Sequence, residues 1–432
     1  MTENYDLMLI GGSVIDPVLG IMRDKVVAVR GGLIAYVGPR SPSAHAVRTI
    51  DVSGQYVLPG LVDLHTHIFR GCTFWGIDHR RVGWRSGVTT WIDAGSSGAY
   101  GARGFRELVV ADDCAGQTYG WLNISAIGLV GETFESVRLE HCDVDAALSV
   151  LAENRDIFVG LKVRIDHNTV GDNGLEPLRR AQLVASDLGV PIMVHIGVGP
   201  PTLDRVLEVM RPGDVMTHCY TGTNMSPVDD SGQVRPCVLS ARDRGVLLDL
   251  GHGAGGFSFP TAEAMLKAGF GPDTISSDLH QLSANGPMVD LVTCMNKMLC
   301  LGMPLREVVA AATSVPARIA GLPPGVGTLD VGALADLAVV ALDDGAFPLY
   351  DVALNKRIAD TRFRSVQTIV RGRLLEPAMP EPPPPWISVT HEQQQAEVDL
   401  REAVMRHPVF DAGADGRFAL PDLLGWNWDG HV

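Results

Sequence analysis

Two histidines one residue apart, His65 and His67, close the apolar run LPGLVDLHTH. On a strand, residues i and i+2 project from one face, so both imidazoles point the same way from one strand end. Such a pair is either two polar side chains where a strand meets solvent, or half of a metal site. Other donors stand in equivalent runs: Lys162 in IFVGLKVRI, His195 in VPIMVHIG, His218 in DVMTHCYTG and Asp278 in DTISSDLH. Each run is otherwise apolar, and four of the thirteen histidines of the chain fall in this set. Neutral imidazoles in that number suit zinc or a similar first-row divalent ion. Two such ions carry four positive charges, of which one aspartate offsets a single one. A lysine ammonium is out of place among them. The charge closes if Lys162 reacts with CO2 to give a carbamate, an anionic oxygen donor able to bridge two ions.

The elements that must position these groups follow from the texture of the chain. Eight apolar runs alternate with helix-length segments: QYVLPGLVDLHTH, GVTTWIDAG, GWLNISAIGLV, IFVGLKVRI, VPIMVHIG, DVMTHCYTG, GVLLDLGHG and DTISSDLH. Eight strands interleaved with helices give an α/β fold, a (β/α)8 TIM-like barrel, here over residues 56–324. In that fold catalytic groups sit at the C-terminal ends of the strands, where the donors above fall. The ends of the chain read differently, as short strands broken by glycine turns, in DLMLIGGSVID, KVVAVRGGLIAYVG and GTLDVGALADLAVVALDDG. Residues 1–55 and 325–377 are therefore expected to combine into one small β-sandwich domain. Their paired glycines read as hairpin turns, since no G-x-x-x-x-G-K-[ST] follows. From AMPEPPPPW onward, residues 378–432 read as an extended spacer and an arm on the body or on a neighbouring subunit.

Composition narrows the partners. Of 432 residues, 46% are hydrophobic and 20% charged, so a large core is available without disulfide staples. Fifty acidic against 35 basic residues give a net charge of −15, which argues against nucleic acid or an anionic membrane as partner. The seven cysteines are scattered without a C-x-x-C pair, as in a reduced cytosolic protein. The start MTENYDLMLIGG lacks a basic, apolar leader, and no run approaches 18 apolar residues. A cytoplasmic protein is expected, acting on a small molecule as a homo-oligomer, with a dimer favoured.

In their order, VDLHTH, GLKVRI, MVHIG, MTHCY and SSDLH resemble the binuclear amidohydrolase superfamily, over about residues 50–375. The resemblance implies His65, His67 and Asp278 on one metal, His195 and His218 on the other, and N6-carboxylated Lys162 bridging both. It implies two divalent ions, zinc or alternatively manganese. Mononuclear deaminases of the superfamily carry a glutamate shortly after the strand-5 histidine. Here that segment is HIGVGPP, and the lysine they lack is present.

Two metals lower the pKa of a shared water and polarise a carbonyl. A bridging hydroxide attacks, and Asp278 carries its proton to the leaving group, acting as ligand and shuttle. The segments HCYTG, DLGHGAGGFSF and SSDLHQLSANGP resemble a branch labelled amidohydrolase/deacetylase. That resemblance implies deacylation of N-acyl amino acids or acetylated hydroxy acids. Cyclic amide opening, as in dihydroorotases and hydantoinases, is the alternative, and a scaffold without activity is a third reading. Arg164, two after Lys162, is a candidate for a substrate carboxylate, or else a salt bridge at the barrel mouth. Tyr220 is a candidate for the oxyanion, or else aromatic packing. His252, in a glycine-rich turn, is a substrate contact or a loop histidine. Cys219 alternates away from His218 as a buried thiol, and His167 and His280 are expected outside the ligand set.

Overall fold

In a computed structural model of the protein, the run QYVLPGLVDLHTH splits at Gly60 into two strands serving different sheets. The structure describes residues 3–17, 20–112, 114–284, 288 and 290–378. The arm expected over 378–432 lies outside them, apart from Ala378. At Gly60 a Cβ would stand 2.0 Å from Thr89 Oγ1, so only glycine lets the chain pass between the sheets. Tyr56–Pro59 pairs with Leu337–Val340 and with Ser13 and Val14, so the terminal domain takes in the chain to Pro59 rather than ending at 55.

The second strand of that run, β1 (Leu61–Thr66), opens a parallel sheet hydrogen-bonded in chain order. It continues through β2 (Val88–Gly98), β3 (Gln117–Asn123), β4 (Phe158–Ile165), β5 (Ile192–Ile196), β6 (Val215–Thr217) and β7 (Leu247–Asp249). Every residue of β1 and β2 is buried. Both faces of a parallel strand are covered, which is why these runs are apolar throughout instead of alternating. The helix Glu176–Leu188 shows how the outer layer forms. Pro177 sits in its first turn, Gly189 ends it at φ 63, and Leu178, Ala181, Val184 and Ala185 are its buried face.

The eighth run closes the ring by two parallel bridges, Asp249 with Thr274 on one side and Thr66 with Leu279 on the other. It is not a continuous strand. Asp278 adopts φ 49, and Ser277 gives both its amide and its hydroxyl to the Asp63 carboxylate instead of to a neighbouring backbone.

The chain ends form two further sheets. One has four strands, from Glu3–Ile10, Val26–Arg30, Leu33–Gly38 and Ala44–Asp51. The other has six, built around the long hairpin Leu337–Tyr350 and Lys356–Val370. Leu9, Val27, Val57, Leu337 and Ile369 share one apolar core between them. The paired glycines Gly31 and Gly32, at φ 60 and 77, make the turn of a hairpin. No helix among the described residues is long and apolar enough to cross a membrane.

Candidate metal centre

All six expected donors come together at the C-terminal end of the barrel. His65 and His67 leave the end of β1 and are 1% and 6% exposed, while Lys162 on β4 is 0% exposed. Asp278 Oδ1 lies 3.1 Å from His67 Nε2 and 3.3 Å from His65 Nε2. One ligand atom from each of these three residues lies within 4.8 Å of the others, a group able to hold a metal ion. Lys162 Nζ stands 3.0 Å from His65 Nε2. His195 Nδ1 and His218 Nε2 face each other at 2.7 Å.

Two donors sit on strained backbone. His218 has φ 67 and Asp278 φ 49, in the left-handed region where a side chain costs about 1–3 kcal/mol. At His218 this turn breaks strand alternation, so two successive side chains reach the barrel interior. Thr217 Oγ1 lies 2.9 Å from His65 Nδ1, while His218 reaches His195. The turn after β7 then closes over both. Gly251, at φ 50, would place a Cβ 2.1 Å from Thr217 Oγ1, and Gly253, at φ 49, would place one 2.1 Å from Asp278 Oδ2.

Each imidazole has a partner on the nitrogen turned away from the centre. His65 Nδ1 meets Thr217 Oγ1, His67 Nδ1 meets Ser96 Oγ at 2.9 Å, and His218 Nδ1 donates to Gly251 O at 2.6 Å. His195 Nε2 donates to Asp166 Oδ2 at 3.0 Å. Partners of this kind are what hold metal-binding histidines in one tautomer and orientation. With their protons on the outer nitrogens, His195 and His218 aim two lone pairs at each other, an arrangement that a shared positive charge relieves. The donor set therefore fits a divalent cation of the kind that neutral imidazole and carboxylate bind.

Burial keeps the imidazoles neutral. It drives His195 down to about 4 against the pull of Asp166, and His218 to about 3 with help from the neighbouring His195. His65 and His67 fall well below the ordinary histidine value through burial and then through the Lys162 charge. Burial also lowers the Lys162 ammonium to about 7, against the attraction of Asp278 and Asp249. Burial thus favours the neutral, nucleophilic form of this amine.

Each expected substrate contact has a partner within the protein. Arg164 gives Nε and Nη2 to the Glu135 carboxylate, both at 2.7 Å, so its two-pronged edge is occupied and the ion pair at the barrel mouth is what forms. Its Nη1 has no protein partner among the described residues. Tyr220 donates its hydroxyl to Phe270 O at 2.9 Å and packs edge-on against Phe257, so it offers no proton to an oxyanion. His252 is 0% exposed, with Nε2 2.5 Å from Lys297 Nζ and Nδ1 donating to Gly253 O. Both of its nitrogens are engaged within the protein. Cys219 is buried, and burial pushes its thiol well above the usual range. His167 is exposed. His280 is buried against Trp75, with Nε2 3.9 Å from Asp278 Oδ2.

Several members of the site were not among the sequence candidates. Asp166 shares strand parity with Lys162 and Arg164, a signal that was available. Asp249 closes the apolar run of β7 and is 0% exposed, and an aspartate inside such a run is also a signal. Glu135 comes from the long loop after β3, where no pattern marks it.

Comparison with known proteins agrees with this geometry. Residues 258–375 match the amidohydrolase family. A deacetylase of Agrobacterium fabrum is 38% identical over 338 residues, which is 77% of this chain and 83% of that protein. A crystal structure described as a dihydroorotase superposes with TM-score 0.79 at 34% identity, covering 87% of this chain and 100% of that one. Another, described as an adenine deaminase, gives TM-score 0.79 at 32% identity, over 86% and 99%.

Proposed function

The chain belongs to the amidohydrolase superfamily as a metal-dependent hydrolase, and on that premise we propose that it is a binuclear deacylase of N-acyl amino acids or acetylated hydroxy acids. The observation that carries the reading is the convergence of His65, His67, Asp278, Lys162, His195 and His218 at one barrel end. His65, His67 and Asp278 would hold one ion, and His195 and His218 the other. Bound divalent ions would lower the pKa of water toward neutrality and polarise the carbonyl under attack.

The remaining work falls to the chain itself. The neutral amine of Lys162 attacks CO2, forming an N–C bond as one C=O π bond opens onto oxygen, and its proton passes to water; the resulting carbamate would add the negative charge that two cations need. Asp278 takes a proton from the attacking water and hands it to the leaving group. His280 borders the Oδ2 side of Asp278, where that transfer would occur. Zinc suits the donors, with manganese the alternative.

Amide or ester cleavage with release of an acid is favoured by the likeness to the Agrobacterium fabrum deacetylase. The likeness to the structure described as a dihydroorotase favours ring opening as a second reading. A screen of the metal-loaded protein on N-acetyl-D- and L-amino acids, acetylated hydroxy acids, hydantoins and dihydroorotate separates them. The deacylase reading expects acetate in the products. Turnover of a ring with none of an acyl acid would replace it. We further propose a cytoplasmic homo-oligomer, with a dimer favoured, in keeping with the free cysteines among the described residues.

A further inference from the structure

Thr217 and Asp249 lie beside the proposed ligands but are not among them. Asp249, at the end of β7, is fully buried and accepts three hydroxyls: Thr217 Oγ1 at 2.7 Å, Thr274 Oγ1 at 2.6 Å and Ser276 Oγ at 2.8 Å. Ser276 Oγ itself accepts the Gly251 amide, which agrees with its own proton pointing to Asp249. A hydroxyl has one proton. That of Thr217 is spent on Asp249, so toward His65 Nδ1, 2.9 Å away, Thr217 Oγ1 can only accept. The His65 ring must then carry its proton on Nδ1 and turn the Nε2 lone pair toward Asp278 and Lys162. Asp249 Oδ2 is 3.7 Å from His65 Nδ1, so the connection runs through the threonine.

We propose that Thr217 and Asp249 form a positioning pair that fixes the tautomer of His65 and so sets the affinity of the His65–His67–Asp278 position for its ion. The inference rests on the reading of His65 as a metal ligand. It also explains the left-handed turn at His218, which lets neighbouring residues serve different ions. Thr217 supports a ligand of the first, and His218 binds the second.

Two variants separate the hydroxyl from the packing of the side chain. Thr217→Val keeps shape and loses the hydroxyl, whereas Thr217→Ser keeps the hydroxyl and loses a methyl. Affinity for Co2+ is read by chelator competition on metal-stripped protein, alongside the melting temperature of the metal-free form. The valine variant should bind the first ion about 10- to 100-fold more weakly. The serine variant should stay within about threefold of the native protein, a split that packing alone does not produce. Should the valine variant fail to fold, Thr217→Ala removes the same hydroxyl without adding a methyl. Native affinity in the variant lacking the hydroxyl, or equal weakening in the serine variant, overturns the proposal. Because metal binding is read without substrate, a wrong substrate class leaves this test intact, whereas failure of native protein to bind Co2+ indicts the metal centre itself.

Discussion

Leu9, Val27 and Ile369 in the terminal sandwich and Lys162, Asp249 and Ser277 in the barrel are all 0% exposed. The first three gain stability from burial, about 25 cal/mol for each Å2 of apolar surface removed from water. The last three lose hydration on burial and are stable only where hydrogen bonds or charges replace it. The sandwich spends its interior on cohesion. The barrel mouth packs imidazoles, carboxylates and an amine into the same dryness and adds two residues on strained backbone. Groups that cost stability and converge on one point mark where the chemistry lies.

That contrast can be broken in order of effect on turnover. Asp278→Asn should lower kcat about 1,000-fold, as for the loss of a proton-transferring group. Metal content and melting temperature should change far less. Near-native kcat with metal bound would remove Asp278 from the shuttle role.

Asp166→Ala should weaken metal binding about 10- to 100-fold by freeing His195 Nε2, measured by chelator competition. Excess metal should restore most of the turnover. If affinity is unchanged, orientation of His195 by Asp166 is unimportant.

His79 sharpens the contrast through pH, away from the metal centre. It is 4% exposed, its Nε2 has no hydrogen-bond partner among the described residues, and burial lowers it from 6.5 to about 4. The folded state therefore binds its proton less readily than the unfolded state. Stability from this group is complete above about 6.5 and declines as pH falls toward about 4, by about 3 kcal/mol at most. His79→Leu should flatten the melting temperature between those pH values and leave kcat near native. An unchanged acid slope would show that other groups govern it.

The smallest effect on turnover is expected from the sandwich. Leu9→Ala should cost about 2–5 kcal/mol in unfolding free energy. Activity per folded molecule should be native. A fall in kcat would mean that the sandwich shapes the site.

How far the site could be read from sequence follows from where strand geometry holds. Lys162 and His195 lie in regularly paired strands, where parity gives their direction, while His65 lies in β1 where the pairing with β2 shifts register. His67 and His218 follow as polar residues just beyond strand ends, and Asp278 as the acidic residue of the eighth run, which bridges the ring without forming a continuous strand. Parity also held Asp166, through its spacing from Lys162. Past the strand ends the rule fails. The left-handed turn at His218 brings that imidazole inward beside Thr217, and the chain beyond it sends the Tyr220 hydroxyl to Phe270 O. The partner of His252, Lys297, lies on a distant helix that local spacing cannot bring near. The division at Gly60 depended on the Thr89 side chain of β2, another contact remote in sequence.

The most direct test of the metal centre is the number of divalent ions bound per chain. Metal-stripped protein is reloaded, dialysed to equilibrium and analysed for metal, beside His65→Ala and His195→Ala. Close to two ions per native chain and fewer than two in each variant is the predicted result. A native protein that binds none, or variants that keep both ions, would contradict it.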